Sequence, residues 1–316
     1  MPDSSTSPAN AEPLLVAAPL SWRDACFSLP AIRALTAAGN PISVLCPEPQ
    51  SRFWKAAGFD ALTAYPAGAS ARAIAALINH APRALLWEAG PAADACAKAG
   101  VNERMGLPAP KLAKRLTHAL ERTVKPGPPA HDVSRFLDVA KLLGADPMKA
   151  EHFAPIECDQ SNPSLLVVPE SDYPSIHEWP ADRWIELVKE LKEAGRQITI
   201  GSIRNGSLAH DIAKQSDCET VPLDPSDPNS FNEYPDLLGA DGSLPHLAAA
   251  FGTTCAVLFG PADPELTRPL GKQHLIIRRK VECSPCFLAK CPIDLRCQKD
   301  LEVERVLGKL KDFSPA

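Results

Sequence analysis

The chain has 316 residues, enough for two ordinary domains, and its 45% hydrophobic and 22% charged content is that of a globular protein. A formal net charge of -5 gives no footing for general nucleic-acid binding, and no run approaches the roughly 18 apolar residues of a membrane-spanning helix. Residues 1–150 carry 16 basic and 12 acidic side chains and the rest 17 and 26, so a basic first half precedes an acidic second half, which points to different partners for the two.

The first residues, Met1 to Pro13, are polar and small, without the basic and apolar regions of a signal peptide, and 1–12 read as a disordered tail. A cytoplasmic location is therefore expected, and the 10 cysteines are expected as thiols or metal ligands rather than disulfides. Pro13–Ala18 (PLLVAA) predicts a buried strand, Asp24–Ala38 a helix, Ile42–Cys46 a strand, Ala71–Asn79 a helix and Arg83–Trp87 a strand. This is the βαβ rhythm of a parallel sheet. After the break at Lys125–Pro129, apolar residues at helical spacing predict a helix over His131–Leu143. Cys158–Pro163 reads as linker.

The rhythm then restarts. Ser164–Val168 is a strand, Asp182–Glu193 a helix with Trp184, Leu187, Val188 and Leu191 on one face, Gln197–Ile200 a strand and Ser207–Lys214 a helix. Asp236–Ala240 and Ala256–Phe259 are strands on either side of a helix over Leu244–Phe251, and Leu301–Leu310 is a last helix. The reading is a 1–12 tail, a 13–150 domain, a 151–300 domain and a 301–316 helix and tail. The fold class is α/β: two doubly wound, Rossmann-like domains facing an interdomain cleft, with ligands at the carboxyl ends of strands.

Several segments carry candidate chemistry. Asp24 opens a helix just after the first strand, where a carboxylate can take a proton from a hydroxyl or simply cap the helix. The loop from Val167 to Pro180 leads from strand to helix and can hold phosphate on backbone N–H groups. Gly239-Ala-Asp-Gly-Ser-Leu-Pro-His246 ends a strand in a small-residue turn and starts a helix, a second plausible anion site. Pro110–Lys125 carries Lys111, Lys114, Arg115, Arg122 and Lys125, either a docking patch for an anionic partner or a solvated surface. Cys283, Cys286, Cys291 and Cys297 are close enough in sequence for a structural zinc ion; a set of reduced thiols is the other reading.

Taken in order, LPAIRAL at Leu29–Leu35, Glu103-Arg-Met-Gly106, Trp179-Pro180, Asp241…His246, FGPADP at Phe259–Pro264 and CSPCF at Cys283–Phe287 resemble glycosyltransferase family 9, the ADP-heptose:lipopolysaccharide heptosyltransferases. The resemblance runs from residue 13 to about 312. It implies a GT-B fold, an acceptor-binding first domain and a nucleotide-sugar-binding second domain. It also implies inverting transfer of heptose from ADP-heptose to an anionic lipid A core at the inner membrane surface, without a catalytic metal. Asp24 holds the position of the family's general base. Ser171, His177, Arg183, Ser202, Asp241, Gly242, Ser243 and His246 become donor-site candidates, and Lys111, Lys114, Arg115 and Arg122 acceptor-site candidates.

The chain departs from the family pattern at that site. Arg23 stands for a glycine before Asp24, Glu170 for the glycine of a Pro-Gly pair, and His177-Glu178 for a Lys-Arg pair. Gly242 and Ser243 exchange the order of two small residues. An imidazole is mostly neutral at pH 7 where a lysine is charged, and two added carboxylates disfavour a diphosphate. These departures leave two alternatives: another nucleotide sugar as donor, or a catalytically degenerate relative that binds without transferring. If the diphosphate is held differently, Arg183, Arg204 and Lys272 are the candidate cations.

Overall fold

The computed structural model describes residues 12–123, 126–203, 207–311 and 313. The chain forms two compact units, one ending at Ala154 and the other starting at Pro155. Residues 1–11 of the expected tail, and Lys125 and Arg204, lie outside the described residues.

The first unit runs β1 (Leu14–Ala17), α1 (Trp22–Ala37), β2 (Ile42–Pro47), α2 (Ser51–Ala56), β3 (Leu62–Tyr65), α3 (Ala71–Ala75), β4 (Arg83–Leu86), α4 (Pro91–Lys98), β5 (Glu103–Gly106), β6 (His118–Ala119) and α5 (Val133–Leu142). Its sheet is parallel in the order β3-β2-β1-β4-β5-β6, and Val16 at its centre pairs with both Val44 and Leu85. β1 is buried along its whole length, which is why Leu14–Ala17 is an unbroken apolar run rather than an alternating one. Ile74 of α3 and Ala93 and Cys96 of α4 pack on Leu15, Leu45 and Leu86 of the sheet. α1 packs on α5.

The second unit repeats the plan: β7 (Leu165–Val168), α6 (Ala181–Glu193), β8 (Ile198–Ser202), α7 (Ser207–Ser216), β9 (Glu219–Pro222), β10 (Asp236–Ala240), α8 (Ser243–Ala250), β11 (Thr254–Phe259), α9 (Pro264–Thr267), β12 (Leu275–Arg278), α10 (Arg296–Lys299) and α11 (Val303–Leu310). Its parallel order is β12-β11-β10-β7-β8-β9. Both sheets therefore have the doubly wound 3-2-1-4-5-6 order. The strand order reverses between β1 and β4 in one and between β7 and β10 in the other, and such switch points open a crevice at the carboxyl ends of the strands.

Three points differ from the sequence reading. The first unit extends to Ala154 because Arg33 on α1 donates to the carbonyls of His152 and Ala154, tying the 150–154 turn to α1. α11 is part of the second unit's core: its Val303, Val306 and Leu310 sit in one cluster with Trp184, Leu238, Leu258 and Ile277. The helix expected to Asn79 stops at Ala75, and His80 takes a left-handed conformation in the turn beyond it.

Candidate functional site

In the second unit, the loop after β7 folds against the turn after β10, at the switch point. Ser171, buried, donates from its Oγ to the Asp241 carbonyl at 2.6 Å and accepts from the Tyr173 N–H. Its own N–H donates to Glu178 Oε1 at 3.0 Å. His177 Nδ1 lies 2.9 Å from Asp241 Oδ2, both side chains buried. A carboxylate only accepts, so Nδ1 carries the hydrogen that faces it. Gly242 is required by proximity rather than by φ: a Cβ there would stand 2.9 Å from Asp172 Oδ1 and 3.1 Å from Ser171 Oγ.

The first N–H of α8 is already in use. Asp172 Oδ1 accepts from the Ser243 N–H at 2.7 Å, so a carboxylate of the chain occupies the position where a helix N-terminus attracts an anion. Glu170 behaves differently from the expectation of an anion beside a phosphate. It is 2% exposed, turned toward β8, and accepts from Ser202 Oγ at 3.3 Å and the Ile203 N–H at 2.9 Å. Its charge is met by local donors, and Ser202 serves Glu170. His246 is buried on α8.

Ser171, His177, Asp241, Gly242, Ser243 and His246 are thus on one loop, one turn and one helix start, with Ser202 reached through Glu170. Arg183 is not among them. It donates from Nη1 to Glu302 Oε2 at 2.5 Å, at the start of α11, because α6 and α11 pack side by side. In this structure Arg183 is therefore paired with Glu302 rather than placed with the other donor-site candidates. Lys272 is exposed in the turn before β12.

In the first unit, Asp24 is not the helix cap. Ser21 caps α1 by accepting from the Asp24 N–H at 3.1 Å, and Asp24 is a first-turn residue only 8% exposed. Arg135 Nη2 of α5 lies 2.6 Å from Asp24 Oδ2, and Arg23 Nε lies 3.4 Å from Oδ1. The arginine that replaces the family's glycine therefore contacts the carboxylate. A carboxylate offers about four acceptor positions, so two guanidinium contacts leave room for a hydroxyl.

The basic stretch does not act as one patch. Arg115 is paired with Asp94, and Arg122 with Asp138 at 2.5 Å and with Ser134 Oγ at 3.2 Å. Both guanidinium groups therefore have a carboxylate partner, whereas Lys111 and Lys114 are exposed.

The glycosyltransferase family 9 (heptosyltransferase) model matches residues 109–296. The chain belongs to glycosyltransferase family 9. It is 25% identical over 130 residues to lipopolysaccharide heptosyltransferase 2 of Escherichia coli (strain K12), a stretch covering 37% of this chain and 36% of that protein. The Salmonella typhimurium (strain LT2) counterpart gives 25% over 126 residues with the same shares, so the match spans about a third of the length of these curated relatives. The structure of E. coli ADP-heptose lipopolysaccharide heptosyltransferase II superposes with a TM-score of 0.75 at 18% identity, covering 95% of this chain and 97% of that one. E. coli heptosyltransferase WaaC with ADP gives 0.73 at 16%, covering 95% and 99%. These likenesses fix the fold as GT-B.

The cysteine segment of this family 9 chain does not fit the expected zinc ion. Burial first, then the neighbouring Cys283, Cys286 and Cys291, push the Cys297 thiol up to about 11, so the four sulfurs share a neighbourhood. Cys283 is nevertheless exposed and Cys297 buried, and among the described residues no group of three or more His, Cys, Asp or Glu could hold a metal ion. What the segment holds is backbone. Ser284 Oγ donates to the Gly260 carbonyl at 2.7 Å, and the Cys286 N–H to the Pro261 carbonyl at 2.9 Å.

Two residues carry no mark in the sequence reading. Gln298, beside Cys297, is fully buried and donates from Nε2 to the carbonyls of Ile176 and His177, at 3.2 and 2.9 Å, bracing the loop after β7. No sequence pattern singles it out. Glu88 lies just past β4, directly across the switch point from Asp24. It accepts from the Leu20 N–H at 2.6 Å, and burial raises its carboxyl above the ordinary glutamate value, with Asp24 adding to the rise. A charged residue ending an apolar run at a strand terminus is the available signal.

Proposed function

We propose that this protein is an inverting glycosyltransferase that moves heptose from ADP-heptose to an anionic lipopolysaccharide inner-core acceptor at the cytoplasmic face of the inner membrane. In this reading the second unit holds the donor at the 169–178 loop and the 241–246 turn, and the first unit holds the acceptor, with Lys111 and Lys114 as its cationic contacts. Asp24 takes the proton of the acceptor hydroxyl on a carboxylate oxygen. That hydroxyl oxygen attacks the anomeric carbon opposite the leaving group, the bond to the ADP oxygen breaks, and ADP departs with the electron pair. No metal ion takes part.

The observation that carries the reading is Asp24, buried in the first turn of α1 at the switch point of a family 9 chain and held by Arg135 and Arg23. Asp24→Asn should lower kcat by roughly 10²- to 10⁴-fold, the usual contribution of a general base, and leave ADP affinity unchanged. Full activity in that variant removes Asp24 from the mechanism.

A second reading is favoured by one contact, Asp172 on the Ser243 N–H, which sets a carboxylate where the donor diphosphate would draw on α8. Under it, the donor is a different nucleotide sugar, or the chain binds without transferring. Calorimetry with ADP, ADP-heptose and UDP- and GDP-sugars separates the cases. Selective ADP-heptose binding supports the first, preference for another nucleotide the changed donor, and no binding by folded protein the loss of catalysis.

A further inference from the structure

We propose that the basic pocket between the end of β12 and the outer face of α11 docks the phosphate groups of an anionic bilayer surface. The pocket has a volume of about 270 Å³ and is lined by Arg278, Arg279, Lys280, Arg305 and Lys309 with two isoleucines of β12. No acidic side chain lines it, although the half of the chain that contains it is acidic, with 17 basic residues against 26 acidic. Arg278 has a carboxylate beside it, Asp263 at 3.4 Å. Arg279 and Arg296 both act on Glu282, just beyond the pocket.

Arg305 and Lys309 stand four residues apart on the exposed side of α11, whose other side is core. Like charges at that spacing weaken a helix, which offsets what Lys309 gains in the last turn of α11 from the helix dipole. Cations on β12 also guard a sheet edge, but edge protection does not call for two more on a neighbouring helix.

A bilayer is favoured over a soluble anion by the chain segment C-terminal to Lys280. It exposes Phe287, Leu288 and Ile293, at 59%, 45% and 61%, together with the exposed Lys290. Basic side chains with exposed apolar ones are the composition of an interfacial membrane contact. Among the described residues no helix is long and apolar enough to cross a membrane. The proposal deepens the membrane-facing part of the function proposed above and rests on it.

The test is co-sedimentation of the full chain with vesicles of phosphatidylcholine alone, and with about one third phosphatidylglycerol. Binding to the anionic vesicles only is expected. Arg305→Gln/Lys309→Gln should weaken it by roughly 30-fold, from about fivefold per cation at the surface. The control Lys55→Gln/Lys214→Gln, also two exposed cations, should stay within about threefold. Vesicle binding unchanged in the Arg305/Lys309 variant overturns the proposal, as does an absence of binding by the wild type. Tight calorimetric binding of inorganic pyrophosphate, lost in the same variant while vesicles are ignored, overturns the bilayer in favour of a soluble phosphate. ADP binding and transfer to a soluble, delipidated acceptor should survive the substitutions, so failure of this surface and failure of the transferase reading are told apart.

Discussion

If the 169–178 loop and the 241–246 turn hold the donor, Asp172 is the residue on which that site turns. The first N–H groups of a helix form a ready anion site, and at α8 one of them is held by the chain's own carboxylate at 2.7 Å. A diphosphate bound there, as the proposed function has it, would meet that negative charge and have to displace or bypass it. Asp172→Asn keeps a short acceptor at the same position and removes the charge. Calorimetry should then show ADP binding tightened by roughly three- to tenfold, the range set by one like charge within the first turn of a helix. Weaker binding would mean that Asp172 shapes the loop rather than opposing the ligand. Motif order makes this turn legible: it singles out Asp241, Gly242, Ser243 and His246, because small residues and a helix start leave a local signature. The partners are not legible. Nothing in the sequence shows that Arg183 answers Glu302, that Glu170 turns toward Ser202 and Ile203, or that Gln298 reaches back across 121 residues to the His177 carbonyl.

Among the elements, central strands and amphipathic helices are readable, and edges are not. Asp236–Ala240 is buried at every position and has the bounds expected from the sequence, and α6 buries the four residues that its spacing predicts. β3, β9 and β12 are edge strands of four residues and not fully covered; β3 (LTAY) and β9 (ETVP) lack the continuous apolar run that marks a covered strand, and the run of β12 (LIIR) is only three residues long. The turn into β12 nevertheless holds a buried titratable group. His274 Nδ1 accepts from the Cys255 N–H at 3.1 Å and Nε2 is 2.8 Å from the Leu270 carbonyl, so the ring is held as the neutral tautomer with hydrogen on Nε2. Burial lowers its pKa. The unfolded chain therefore takes up this proton more readily than the folded one. The stability it contributes is present above the ordinary histidine value, about 6.5, and is lost as pH falls below it. Glu88 and Asp236, both raised by burial, act in the opposite sense as pH falls through the acid range. The wild-type melting temperature should drop between pH 7.5 and 5, and His274→Gln should show a smaller drop. An equal drop in both proteins would assign the acid sensitivity elsewhere.

For the molecule as a whole, the decisive feature is that one winding is used twice. Each sheet has six parallel strands in the same order, and each has its own buried cluster, around Leu15, Leu45 and Leu86 in one and around Val167, Leu238 and Leu258 in the other. The restart of the strand–helix rhythm at Ser164 makes this legible, since two parallel sheets need two sets of buried strands. A ligand bound only to the folded form of one unit stabilises that unit by RT ln(1 + [L]/Kd), about 2.7 kcal/mol at a hundred times Kd. If residues 155–316 hold the nucleotide, scanning calorimetry should resolve two transitions, and saturating ADP should raise one of them by several degrees while the other moves little. Hydrogen exchange with and without ADP identifies the unit: protection should grow in β7, β10 and α8 and stay level in β1 and β4. Equal gains in both sheets would mean that the units unfold as one, and gains confined to the first sheet would move the nucleotide site out of residues 155–316.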